Sequence, residues 1–187
     1  MYIALERHRS ANVWFGDQPD CILCASALVV RSMSAGSTSI PAGAVVVELC
    51  VPVGPYSLYG LLGATFTPLR TADLTIRVGI CESGPSYVST LTHGADHPRV
   101  VLPRVFANTV ADVAGRYQET GQILSAGTLS FDRAVCGDVG SAPVIFGVLA
   151  TACMRLLAMD RSRKVEYQRV ASIVAGAIDA GLGHSPA

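Results

Sequence analysis

Any chemistry in this chain has to come from a few polar clusters set among apolar residues. The densest is Asp132, Arg133, Cys136 and Asp138, on a predicted strand and the turn after it. Asp132 or Asp138 could act as a general base. Arg133 could then hold an anion beside the free N–H groups of a helix beginning near Ser141. Period-two alternation puts Asp132, Ala134 and Cys136 on one side and Arg133 and Val135 on the other, so Asp132 and Arg133 are not expected to share a face. The competing reading makes Asp138 and Ser141 turn and cap residues, and Arg133 a surface ion-pair partner.

His93 and His97 share a loop with Gly94, Asp96 and Pro98. Two His four apart bind a metal well on a helix, but this segment is not helical, and no metal or cofactor is expected. As catalytic groups, His93, His97 and Asp132 are the candidates; as ligand-binding groups, Arg133, Asp138, Ser141, Tyr56 and Tyr59. Tyr56 and Tyr59 sit in an expected exposed turn, Gly54–Gly60, where aromatics either form an interaction patch or fold back on the core. Cys21 and Cys24 have knuckle spacing but no second pair to complete a zinc set. They are read as core thiols of a buried strand within Cys21–Val30, and all six cysteines are expected to be free.

The elements that must position these residues follow from periodicity. Strands are expected at 2–7, 22–31, 44–51, 74–80, 86–92 and 128–135, with a small-residue loop at 33–39. Helices are expected at about 104–119, at 143–158 and at 165–180, the second apolar nearly all round. Phe106, Val110 and Val113 should pack against Phe146 and Leu149. The reading is a single α+β domain: a two-layer, four-stranded, mostly antiparallel sheet with helices on one face. Residues 1–43 form an N-terminal extension, 44–158 the core, and 159–187 a final helix and tail.

Composition narrows the partners. Lys and Arg number 14 against 14 Asp and Glu, which removes the basic surface a nucleic-acid or ribosome binder would show. Charged residues are 15% of the chain against a usual ~25%, so a symmetric homo-oligomer is expected. The stripe Val170, Ile173, Val174, Ala177 and Ile178 should supply its interface, unless it caps the chain's own sheet. Glu6, Arg7 and Arg9 stand where a signal peptide would place its apolar run, and no apolar stretch suits a membrane span. The expected compartment is the cytoplasm.

Residues 44–158 resemble domain IV of elongation factor G, a translational GTPase. Leu102-Pro-Arg-Val-Phe-Ala-Asn-Thr-Val-Ala-Asp-Val is similar to that family's Ile-Pro-Lys-Glu-Tyr helix start. Ala126-Gly-Thr-Leu-Ser-Phe-Asp is similar to its Ala-Gly-Tyr-Pro strand, and Gly137-Asp-Val-Gly-Ser-Ala-Pro-Val-Ile-Phe146 to the turn and helix that follow. Gly54–Gly60 is weakly similar to its other tip loop. The resemblance implies the order strand, strand, strand, helix, strand, helix, with a left-handed β-α-β crossover, an exception to the usual hand. No P-loop occurs, so it implies no nucleotide hydrolysis. Gly137 stands where the family carries a tip His, and Gly140, Ala142 and Pro143 also depart. The same fold serves small metabolic enzymes, including formaldehyde-activating enzyme, whose catalytic His on the opening strand has no counterpart in Val45-Val-Val-Glu-Leu-Cys50. Three functions stay open: a stand-alone binding or assembly module, a small enzyme acting on a metabolite through His93/His97 or Asp132/Arg133, or a purely structural subunit of an oligomer.

Overall fold

The structure is a computed structural model that describes residues 1–37, 39–92, 96–121, 124–159 and 166–183. Its strands are β1 (Tyr2–Ala4), β2 (Ser10–Trp14), β3 (Ala27–Ser34), β4 (Gly43–Val53), β5 (Tyr56–Pro68), β6 (Asp73–Ile80) and β7 (Gly127–Val135). Its helices are α1 (Arg104–Gly121), α2 (Pro143–Leu157) and α3 (Tyr167–Leu182). The expected four strands become one seven-stranded sheet in the order β1-β2-β4-β5-β7-β6-β3. Neighbours run antiparallel except β6 and β7, the parallel pair joined through α1. The segment β4, β5, β6, α1, β7, α2 runs strand-strand-strand-helix-strand-helix, but with β5, which was not expected, in place of the strand expected at 86–92.

The central hairpin is where sequence reasoning fell short. Gly54–Gly60 was expected as a turn, but only Gly54 and Pro55 lie between paired Val53 and Tyr56. Gly54 takes a φ of 60°, which a two-residue hairpin loop favours at its first position. Beyond it β5 is buried on both faces, so its side chains show no alternation to read. Gly60 and Gly63 look like punctuation in the sequence. They are sites of close approach instead: a Cβ on Gly60 would lie 3.0 Å from Leu149 of α2, and one on Gly63 2.8 Å from the Cβ of Arg133.

Those two glycines also define the faces of the sheet. On the Gly60 side the helices pack, α1 over β3 and β6, and α2 over β4 and β5. On the Gly63 side irregular chain covers the sheet. Leu23 N–H donates to Asp132 O at 2.9 Å, and the vacant side of Gly79 faces Leu23 and Ala25. The expected strands at 22–31 and 86–92 are corrected: β3 spans 27–34, running into the expected loop, and 86–92 forms no strand. In the latter, Ser89 Oγ accepts the N–H groups of Leu91 and Thr92, a local bond that competes with a ladder. Cys21 is buried and Cys24 exposed, both ahead of β3 rather than in it.

The helices fall where periodicity places them. Phe106 stacks on Phe146 with ring centroids 5.0 Å apart, Val110 is fully buried, and Val113 packs beside Gly147. Of the fifteen residues of α2 eleven are buried, so its outer side also needs a cover. That cover is α3, which buries Val170, Val174, Ala177 and Ile178 and packs on α2. The stripe expected to mediate self-association is therefore spent inside the chain, on a helix rather than on the sheet. Among the described residues no helix is long and apolar enough to cross a membrane.

Truncating fully buried Phe146 to Ala should cost about 3–5 kcal/mol in chemical denaturation. A loss under ~1 kcal/mol would contradict the packing. The β1–β2 turn offers a gain instead. Arg7 and His8 both hold φ of 59°, and Arg9 N–H donates to Glu6 O, the geometry of a type I′ turn that prefers Asn-Gly. The pair Arg7→Asn and His8→Gly should raise stability by roughly 1 kcal/mol, measured in urea.

Candidate functional site

Glu48 is the residue the sequence reading passed over. It lies on β4 facing the irregular segments, and only 1% of its surface is exposed. Asn12, its register partner on β2, donates from Nδ2 to Oε2 at 2.8 Å. Tyr59 on β5 donates its hydroxyl to Oε1 at 2.9 Å, and Ser89 donates Oγ to the same oxygen at 2.7 Å. Asn12 also donates to Thr90 Oγ1 at 3.1 Å, fixing the covering segment a second time. No Lys or Arg pairs with Glu48 among the described residues, so hydrogen bonds alone offset its lost hydration. Burial first, then the charge of Glu48, pushes the Tyr59 phenol far above its ordinary range. Tyr87 is raised for the same two reasons. Tyr59 therefore remains a proton-bearing donor.

Above this layer opens a pocket of about 310 Å³. Cys50 and Tyr59 line it from the sheet; Tyr56, Asp96, Leu91 and Val139 are among its other walls. The turn 137–140 forms one side and is stitched to the start of β5. Ser141 Oγ accepts Gly137 N–H at 2.8 Å and donates to Tyr59 O at 2.8 Å, while Tyr59 N–H donates to Gly140 O at 2.8 Å. Asp96 lies across this turn and accepts Val139 N–H on Oδ1 at 3.1 Å. A Cβ on Gly137 would sit 2.2 Å from Asp96 Oδ2, and one on Gly140 3.0 Å from the same oxygen. The two glycines shape the turn to a carboxylate. Burial raises the half-buried Cys50 thiol; the Ser57 hydroxyl partly lowers it, and Glu48 and Asp96 raise it further.

The structure divides the residues singled out from sequence. Tyr56 and Tyr59 both line the pocket, Tyr56 at an exposed rim. Asp138 is exposed on the turn beside it, and Ser141 holds that turn in place. Ser141 was expected to cap α2, and it does not. The N-cap is Ala142, extended at φ −142° and ψ 156°, without a side-chain bond, and Pro143 opens the helix. His97 is exposed next to Asp96, and His93 lies outside the described residues.

Asp132 and Arg133 are elsewhere on the sheet, and they do pair. Gly63 opposes Arg133 while Ala64 opposes Phe131, so Asp132 is the extra residue of a β-bulge. The bulge breaks the period-two phase, and Arg133 Nη1 reaches Asp132 Oδ1 at 3.0 Å. Arg133 Nε is buried with no hydrogen-bond partner among the described residues. Burial lifts the nearby Cys21 thiol to about 12, Arg133 pulling it partly back.

Neither a protein-family model nor a curated protein matches this sequence.

Replacing Glu48 by Leu should cost at least about 2 kcal/mol in urea denaturation, although it removes a buried charge, because three donors lose their acceptor. An unchanged midpoint would show the network is not formed. Alkali should also destabilise the fold. Cys21 is raised from 9.0 to about 12, and burial raises Cys136 and Cys153 as well. The unfolded chain then binds fewer protons than the folded one above pH ~9. The stability these thiols contribute is whole below that pH and lost as pH climbs toward the folded values. Denaturation midpoints followed from pH 8 upward should fall, and a flat profile would contradict the burial.

Proposed function

We propose that this chain is a small-molecule-binding module without nucleotide hydrolysis, its site the pocket between β4, β5, Asp96 and the turn 137–140. The observation that carries this reading is a small cavity backed by a buried, hydrogen-bonded carboxylate and walled by a glycine turn fitted to Asp96. Pre-formed pockets with few placed polar groups are the usual form of a ligand site. Binding is preferred to catalysis because burial holds the pocket's thiol and phenol protonated, away from the values that suit proton transfer near neutrality. The small-enzyme alternative would use His97, exposed and next to Asp96 in sequence; neither His97 nor the Asp132–Arg133 pair is among the described residues that line this cavity.

The fold is proposed to be of the elongation factor G domain IV kind, including the left-handed crossover at β6–α1–β7 that the resemblance implies. Neutral charge argues against a ribosomal role. A cytoplasmic location and self-association are proposed as well. With α3 spent, the edge strand β3 is the surface for a second copy: Leu28 and Val30 are exposed and it carries no proline. Sedimentation equilibrium should show an oligomer that Val30→Lys weakens. A monomer at micromolar concentration would end that part of the proposal.

The binding reading is tested by thermal shift against a library of small metabolites. A ligand at 100 times its Kd adds about 2.7 kcal/mol of stability. Some compounds should raise the Tm of the wild type and none should raise that of Ser57→Trp, which fills the pocket from its exposed rim. Equal shifts in both proteins, or none in the wild type, would defeat it.

A further inference from the structure

The charge of this pocket is one-sided. Asp96 is the one charged side chain among its described lining residues, and no Lys, Arg or His is among them. A second carboxylate, Glu48, is buried behind Cys50 and Tyr59, paired with no cation among the described residues. Both carboxylates act on the Cys50 thiol, which burial raises most, the Ser57 hydroxyl partly lowers, and Glu48 and Asp96 raise further. The remaining described walls are apolar or neutral, with Leu91, Val139 and Pro55 beside the hydroxyl-bearing Ser57 and Thr92. Tyr56, 71% exposed, brings an aromatic ring to the rim.

We infer that the ligand is a small organic cation, a primary or secondary amine on a compact apolar body, with its ammonium directed to Asp96. This rests on the binding reading above and deepens it. Asp96 suits the role because Val139 N–H and the two glycines hold its carboxylate in place before anything binds. An ammonium there gains a charge-assisted hydrogen bond without ordering a side chain. The exposed Tyr56 ring in the lining offers an aromatic face for a cation–π contact. Carboxylates and phosphates would meet two negative charges and, among the described lining residues, no compensating base. At about 310 Å³ the cavity lies at the small end of ligand sites, matching a single ring with a short arm.

Three probes of one shape separate the possibilities: 2-phenylethylamine, 2-phenylethanol and 3-phenylpropionate, titrated calorimetrically at pH 7 and low salt. The amine should bind at least tenfold more tightly than the alcohol, and the carboxylate more weakly than either. Asp96→Asn, which keeps an oxygen for Val139 N–H, should erase the advantage of the amine and leave alcohol affinity unchanged. Suppose instead that all three bind alike, or the carboxylate best, and that Ser57→Trp abolishes binding. The site would then stand and the cation inference fall. An amine preference that survives in Asp96→Asn would also overturn it. Failure of every probe to bind the wild type would overturn the inference, while the binding reading stands or falls on the metabolite library.

Discussion

A buried carboxylate with no cation beside it is costly, and the second face of this sheet is arranged around meeting that cost. Glu48 draws one donor from β2, one from β5 and one from the irregular segment between β6 and α1. Those three bonds link chain far apart in sequence. They hold the chain at Ser89 and Thr90 over the sheet, and they turn the Tyr59 hydroxyl inward, leaving its backbone to tie the 137–141 turn. A hydrophobic residue at position 48 would make the sheet simpler and leave the Asn12–Thr90 bond as the remaining side-chain tie described between the sheet and the covering segment.

The helices were legible because each shows an apolar face or an apolar circumference at a single period, bounded by Pro103, Gly121 or Pro143. Strands buried on one side, such as β6 and β7, were legible for the same reason. β5 was not, since burial on both faces removes the alternation that announces a strand. β2 is too short, and too mixed with polar Asn12, to stand out.

The site was legible only in pieces. Tyr56, Tyr59, Asp138 and Ser141 were noticed as turn residues, and the structure gathers them at one end of the central hairpin. What sequence could not supply is their complement: that Glu48 points away from the helices, and that Asp96 folds back onto Gly137. One signal was available for the first. A lone acidic residue in the run Val45-Val-Val-Glu-Leu-Cys-Val51 has to be buried with whatever bonds it can find. The pairing of Asp132 with Arg133 was hidden by a bulge, which strict alternation cannot foresee.

The Arg9–Asp179 ion pair, 2.8 Å long, joins the first hairpin to the last helix. Residues near one end of the chain thus meet residues made about 170 positions later. During synthesis α2 must form with one apolar side bare until α3 has emerged to cover it. Such long-range closure slows folding and lengthens the time that surface can be captured by another nascent copy. For this chain the hazard of aggregation lies in the order of its birth, and it ends when α3 docks.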